Sequence, residues 1–179
     1  MRHIFIAVLM VFAAQLAGAE DQEKQQPVEQ GMDNQRLKTL INRLVEDVNG
    51  RPGFWEFTLQ GYPVTVITDE RADRMRIIVP VAKAGDIDSE QMKRLMQANF
   101  DSALDARYSI ARGVLWSAFI HPLAGLSDHQ FIDGLAQTVN LAGTFVTSYS
   151  SGALVFGGGD SKREQDRHYR EIIEREGAI

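Results

Sequence analysis

The sequence predicts an α+β domain in which a five-stranded antiparallel sheet carries helices on one face. Five short segments alternate apolar and polar residues with the period of two that strands show. Three longer segments repeat apolar residues every three or four positions, as amphipathic helices do. Short connections join the strands, so strands that are neighbours in sequence are predicted to pair antiparallel. The predicted order is α-β-β-β-α-β-β-α, followed by a charged C-terminal helix.

The first predicted helix begins near Asp33 or Asn34, either of which can cap a helix N-terminus. Its apolar face consists of Leu37, Leu40, Ile41, Leu44, Val45 and Val48. The Asn49-Gly50 pair is typical of a helix C-terminus, and Pro52 and Gly53 strengthen the predicted break.

Three strands are predicted next, over 54–60, 62–68 and 74–79. The first alternates Trp55 and Phe57 with Glu56 and Thr58, which places the two pairs on opposite faces. Gly61 separates the first strand from the β-branched second strand, and the charged residues 69–73 form the next turn. These short connections predict an antiparallel meander.

The second half of the domain is predicted as helix, strand, strand and helix. Asp88 and Gln91 have the spacing of a capping box, and the helix that they start runs to about residue 100. Strands follow over 106–112 and 114–121. Ser127 and Gln130 form a second capping box at the start of the last helix. Its buried stripe is Phe131, Leu135, Val139, Ala142 and Val146, and its glycines, Gly134 and Gly143, are expected to allow close approach to the sheet or to another subunit.

Residues 1–19 are predicted to be a secretory signal peptide. Arg2 precedes an apolar run over 4–14, and Ala17-Gly18-Ala19 supplies the small residues of a cleavage site. Cleavage after Ala19 would leave 179 − 19 = 160 residues. The apolar run is shorter than the roughly 20 residues of a membrane-spanning helix, so no stable membrane anchor is expected after cleavage. The mature chain is therefore predicted to be periplasmic or secreted.

The mature chain divides by composition into four parts. Residues 20–32 are polar and are predicted to form a flexible linker, and 33–149 form the α+β domain. Residues 150–159 are rich in glycine and serine, as a hinge would be. Residues 160–179 are predicted to form a charged helical tail, with eleven charged residues among the seventeen of 160–176.

Charge and residue types exclude several functional classes. The formal charge is −5, or −6 without Arg2, which argues against nucleic-acid binding. The absence of cysteine excludes disulfides and thiol catalysis. The histidines lack a metal-ligand spacing, so no metal or other cofactor is expected. Ser127, Asp128 and His129 are adjacent in sequence and are explained better by a helix cap than by a catalytic triad, so we do not expect an enzyme.

The segment from Met92 to Phe145 carries a resemblance to a known family. It contains a helix that ends near Asn99, a strand over 106–112, a turn at Gly113, a strongly apolar strand over 114–119, a loop over 126–128 and a final helix over 131–145. This pattern resembles the type III secretion chaperone-like superfamily, which also contains bacterial sensory-transduction regulators. The resemblance covers roughly 33–148.

The resemblance implies a small, acidic, non-catalytic protein that often forms dimers. Members of the family bind extended segments of client proteins along hydrophobic sheet and helix surfaces. The present chain departs from the family in carrying an export signal, because secretion chaperones act in the cytoplasm.

The first functional hypothesis is therefore an exported module that binds a partner or client protein and forms a homodimer. Phe54, Trp55 and Phe57 on the first strand of the meander are candidate partner-binding residues, since a sheet edge can accept an extended peptide. Met92 and Met96 are candidates on the second helix, because methionine-rich helices form adaptable binding surfaces.

The alternative hypothesis is a small periplasmic ligand-binding protein or enzyme that uses a cleft between helices and sheet. Its support is a set of polar residues near strand ends, Arg107, Arg112, Ser117 and His121. These side chains would have to converge on one enclosed pocket.

Overall fold

The computed structural model describes residues 31–101, 103–145 and 170. Its helices and strands follow the predicted order with one additional strand near the N-terminus. They are α1 (Asn34–Leu44), β1 (Asn49–Arg51), β2 (Phe54–Leu59), β3 (Tyr62–Asp69), β4 (Arg74–Lys83), α2 (Ser89–Asp101), β5 (Arg107–Ala111), β6 (Val114–His121) and α3 (Asp128–Gly143). The predicted hinge lies outside the described residues, as does the predicted tail except for Arg170, which is helical.

The sheet has six strands rather than the predicted five, in the order β1-β2-β3-β4-β6-β5, and every neighbouring pair is antiparallel. The additional strand, β1, follows α1, which ends at Leu44 instead of continuing to Val48. Val45 already has an extended backbone. Gly50 has φ of 123° and lies opposite Trp55, where a β-carbon would collide with the Phe54 carbonyl. The glycine therefore lets β1 approach β2, rather than terminating a helix.

Two tight hairpins set the register of the sheet. Gln60-Gly61 joins β2 to β3 and Arg112-Gly113 joins β5 to β6, and all four residues have positive φ. A two-residue turn with positive φ at both positions matches the twist of the strands that it connects. Arg112 and Gln60 are the non-glycine members of these turns.

All three helices pack on the same face of the sheet. The larger core cluster joins α1 and α3 to inward residues of β2, β3, β4 and β6, and a smaller cluster joins α2 to Tyr108 and Leu115. The register places the sheet residues of both clusters on one face. The largest fully buried side chains are Trp55, Phe131, Leu37, Leu40, Ile41, Leu59, Met75, Ile77, Leu95, Leu115, Leu123 and Ile132. The α+β class with helices on one face is thus confirmed.

The predicted helix starts are also confirmed. The Asp33 carboxylate accepts a hydrogen bond from the Arg36 backbone N–H at 2.7 Å. The Ser127–Gln130 capping box is complete, with both reciprocal hydrogen bonds formed. Asp128, in the first turn of α3, forms an ion pair with Arg36 at 2.9 Å, which connects α3 to α1. Asp88 and Gln91 form the equivalent reciprocal pair at the start of α2.

Candidate protein-binding surfaces

The candidate residues on β2 divide between the two faces of the sheet. Trp55 and Phe57 are only 1% and 6% exposed and belong to the larger core cluster. Phe54 lies on the opposite face and is 38% exposed. Of these three predicted binding residues, the structure leaves Phe54 accessible to a partner, whereas Trp55 and Phe57 pack against α1 and α3.

The face of the sheet opposite the helices carries apolar side chains among polar and charged ones, and no helix of the described residues packs on it. We call it the open face. The strand register places Phe54 of β2 beside Ile67 of β3. Ile120 of β6 lies in the same row, two strands beyond Ile67. The apolar residues of the open face are Phe54, Pro63, Ile67, Ile78, Pro80, Ala111, Val114, Trp116, Ala118 and Ile120. Ile120 is the second-last residue of β6, lies beyond the residues of β6 that pair with β5, and is 58% exposed. A large aliphatic side chain with this exposure is a candidate contact for a partner.

A second set of accessible apolar side chains lies on α2, on the loop that follows it and on the edge strand β5. We call it the α2–β5 patch; its members are Met92, Met96, Phe100, Leu104 and Ile110. Met92, Met96 and Phe100 recur at intervals of four residues and so lie along one side of the helix. Met96 is 49% exposed and Phe100 is 83% exposed, while Leu95 is fully buried against Tyr108 and Leu115. The sequence predicts the two methionines of this patch as binding residues, but it does not predict Leu104 or Ile110.

The free edge of β5 is partly closed by side chains. Because a two-residue turn makes Ala111 and Val114 the first hydrogen-bonded pair, Tyr108 directs its backbone groups away from β6. Asn99 occupies both groups. Its Oδ1 accepts from the Tyr108 N–H at 2.7 Å, and its Nδ2 donates to the Tyr108 carbonyl at 3.1 Å. Gln137 Oε1 accepts from the backbone N–H of Ala106 at 3.2 Å. A partner strand therefore finds no free backbone pairing groups at Tyr108.

The polar residues of the ligand-cleft hypothesis do not converge. Arg107 and Arg112 are exposed, and the Arg107 guanidinium donates to the carbonyl of Leu104 in its own loop. Ser117 is fully buried, and its Oγ has no hydrogen-bond partner in the described part of the chain. His121 Nδ1 lies 2.7 Å from the Pro122 carbonyl oxygen, and its ring stacks on Phe119.

An open groove of about 930 Å³ lies elsewhere, between the end of α1 and strands β2 and β3. Its lining includes Arg43, Glu46, Asp47, Glu56 and Thr58. None of the four polar residues of the ligand-cleft hypothesis lines it. The groove therefore gives that hypothesis no support.

The Ser127-Asp128-His129 sequence does not form a catalytic arrangement. Ser127 caps α3, Asp128 pairs with Arg36, and His129 Nδ1 lies 3.1 Å from Asp133 Oδ2. Partial burial raises the pKa of the Asp133 carboxyl, an effect that His129 opposes and Asp105 reinforces. Within residues 31–101 and 103–145 there is no group of three His, Asp or Glu side chains arranged to hold a metal ion. Across these same residues, every helix is too short or too polar to cross a membrane.

Comparison with known proteins connects this architecture to solved structures. No protein-family model and no curated protein sequence matches the chain. A chain of the ExsC–ExsE complex is similar over 68% of this chain and 100% of its own length, with a TM-score of 0.50 and 14% sequence identity. This likeness shows that the described domain has the same fold as that chain of the ExsC–ExsE complex.

Two further solved structures are similar to smaller parts of the chain. One is the complex of the Yersinia pestis type III secretion chaperone SycH with a stable fragment of YscM2; the match covers 63% of this chain and 98% of the other, with a TM-score of 0.49 and 16% identity. The other is the HopA1–SchA chaperone–effector complex, where the match covers 61% and 91%, with a TM-score of 0.46 and 13% identity.

Proposed function

We propose that this chain is an exported, non-catalytic protein-binding module that holds a partner or client protein on its open face. The observation that carries the proposal is the apolar surface around Ile120, Phe54 and Trp116, which lies opposite a complete helix-covered core. A sheet face that is apolar and uncovered is stabilised when a partner removes it from water, by about 25 cal/mol for each Å² buried.

The similar fold supports a protein as the partner. The ExsC–ExsE structure is a complex of two proteins, and one of its chains has the fold of the present chain. In the present chain, Phe54 is the predicted binding residue that contributes to the open face. Trp55 and Phe57 support the face indirectly, because they fix β2 on the core from the other side.

The export signal predicted over residues 1–19 places the proposed activity outside the cytoplasm. In that compartment the partner would be another exported protein. A substrate of a cytoplasmic secretion apparatus would be separated from this chain by the membrane.

The proposal is tested by substituting Ile120 with aspartate in the full chain. Because Ile120 is more than half exposed, we expect a loss of about 1 kcal/mol or less in unfolding free energy and about a tenfold loss of partner binding. The partner is first captured in cells by a photoreactive residue at position 78 on the same face, identified by mass spectrometry, and then purified for titration.

The matched control is the substitution of Lys38 with aspartate, at an exposed position of α1 on the helix side. It should leave the affinity for the purified partner unchanged. Equal binding by the wild type and the Ile120→Asp variant, with both folded by circular dichroism, would contradict the proposed function.

We also propose that the α2–β5 patch binds a second copy of the chain. Asn99 occupies the pairing groups of Tyr108, so the two copies would associate through side chains such as Met96 and Phe100. Substituting Phe100 with glutamate places a charge in the most exposed aromatic position of the patch, and we expect it to raise the dimer dissociation constant at least tenfold.

Sedimentation equilibrium over a range of concentrations measures this dissociation constant. The Phe54→Glu variant is the control, because it changes a phenylalanine to the same acid on the open face. A wild-type chain that stays monomeric at the highest concentrations, or a dimer that Phe100→Glu leaves intact, would show that the patch is not a dimer interface.

A further inference from the structure

The open face differs in charge from the protein as a whole. The chain has a formal net charge of −5, yet four arginines and two carboxylates have register positions on the open face. In the strand register, Arg51 lies opposite Phe54, Arg76 lies opposite both Ile67 and Ile120, and Arg107 lies opposite Ala118. The fourth arginine, Arg74, lies opposite the first carboxylate, Asp69, and the second carboxylate is Glu56. The face is therefore a cationic region on an anionic protein.

Arg76 has the most informative position of these arginines. It lies between Ile67 of β3 and Ile120 of β6 in one row across the sheet. Side chains directly opposite each other on paired strands have β-carbons about 5 Å apart. The guanidinium of Arg76 is exposed, and in the described part of the chain no carboxylate forms an ion pair with it. The structure thus places an unpaired cation within an apolar row.

We infer that the open face selects partner segments that combine apolar side chains with acidic ones, and that Arg76 is the residue that recognises the acid. This inference rests on the proposed function and adds the chemistry of the partner to it. A carboxylate of the segment would form a two-pronged pair with the planar guanidinium, which an ammonium group reproduces less well. Apolar side chains on either side of that carboxylate would cover Ile67 and Ile120.

The net negative charge of the whole protein restricts the binding of acidic segments to the open face. Away from the open face, the net negative charge repels acidic segments, so such a segment is favoured only where arginines outnumber carboxylates. A basic apolar segment would bring its cations against Arg76 and Arg51, and like charges in contact disfavour binding.

Two labelled peptides test the inference with the full mature chain. One alternates leucine with glutamate, and the other has lysine in place of every glutamate. We expect the glutamate peptide to bind about tenfold more tightly than the lysine peptide in fluorescence anisotropy titrations, and its binding to weaken as salt is added. Tryptophan fluorescence should change on binding because Trp116 is only half-buried on the open face, and the change should be absent from a Trp116→Phe variant, in which buried Trp55 is the remaining tryptophan.

Variants of Arg76 assign the effect to one side chain. The Arg76→Glu variant should lose at least tenfold in affinity for the glutamate peptide, and Arg76→Lys should retain a larger part of it. Lys38→Glu makes the same reversal of charge on α1 and should change the affinity less than twofold. An Arg76→Glu variant that behaves like Lys38→Glu would overturn the inference.

Other outcomes separate this inference from the proposed function. If both peptides bind equally and Ile120→Asp abolishes both, the face binds proteins without preference for acid, and only the inference fails. If neither peptide binds but vesicles of phosphatidylglycerol do, in an Arg76-dependent manner, the occupant is an anionic lipid surface and the inference is wrong. If the chain instead associates with itself through Ile120, a second copy is the occupant, and the inference is also overturned.

Discussion

Replacement of Trp55 by alanine is expected to remove about 3–5 kcal/mol from the free energy of unfolding, which is a large part of the 5–15 kcal/mol typical of such a domain. The side chain is 1% exposed and packs in the cluster that joins β2 to α1 and α3. Alanine would leave a cavity that the flanking strands, fixed by their hydrogen bonds, could fill only in part. Urea unfolding followed by far-ultraviolet circular dichroism measures the loss.

The second tryptophan supplies a matched control. Trp116 is only half-buried, on the open face, and its Nε1 donates a hydrogen bond to the Ala111 carbonyl at 3.1 Å. Trp116→Ala should therefore cost about 1 kcal/mol. The Trp55→Phe variant should also be mild, because Trp55 Nε1 has no hydrogen-bond partner in the described part of the chain and its loss removes an unsatisfied donor. Equal losses for the two alanine variants would contradict the different burial of the tryptophans.

The alternation of residues along β2 shows why the sequence predicts the fold better than the site. Period-two alternation establishes that Trp55 and Phe57 share one face and that Phe54 points to the other. It does not establish which face the helices cover, because both faces of the strand carry aromatic residues. Which face is covered depends on where α1 and α3 pack, and their packing joins residues that are far apart in sequence.

The strand β1 illustrates a second limit. Its three residues, Asn-Gly-Arg, have no apolar side chain and resemble a turn in sequence. They form a strand because β2 offers them a hydrogen-bonding edge. Local sequence predicted the caps at Asp88 and Ser127 correctly, and limited the first cap to Asp33 or Asn34, of which Asp33 is the cap. A cap can be predicted locally because it is formed by groups within three residues of each other.

The α2–β5 patch could be predicted in part. Spacing placed Met92, Leu95, Met96 and Phe100 near one side of a helix, and the structure divides them between core and surface. Leu95 and Phe100 are five positions apart, which is about 140° around a helix that turns about 100° per residue, so Leu95 can be buried while Phe100 is exposed. Leu104 and Ile110 lie outside α2 in sequence, and the spacing within the helix could not predict them; β5, which carries Ile110, contacts α2 in the fold.

Substitution of Gly134 with alanine is expected to have the second large effect on the free energy of unfolding, and the direction of this effect is informative. Alanine is the better helix former by about 1 kcal/mol, so Gly→Ala within an exposed helix stabilises a protein. At Gly134, however, a β-carbon would lie 2.7 Å from two ring carbons of the buried Phe119. We expect Gly134→Ala to lower the free energy of unfolding by about 2 kcal/mol, because overpacking of a core costs about 1–3 kcal/mol and outweighs the helix propensity.

Gly143, at the other end of the same helix, should respond differently. A β-carbon there meets the hydroxyl of Tyr62 at 2.8 Å, and that hydroxyl is the far end of a half-buried side chain, which can shift more readily than a ring enclosed in the core. Gly143→Ala should therefore be close to neutral. In a Phe119→Leu background, which removes the ring, Gly134→Ala should cost much less than it does in the wild type, and the difference measures the coupling of the two residues. Stabilisation of the wild type by Gly134→Ala would mean that α3 does not approach β6 as closely as this contact requires.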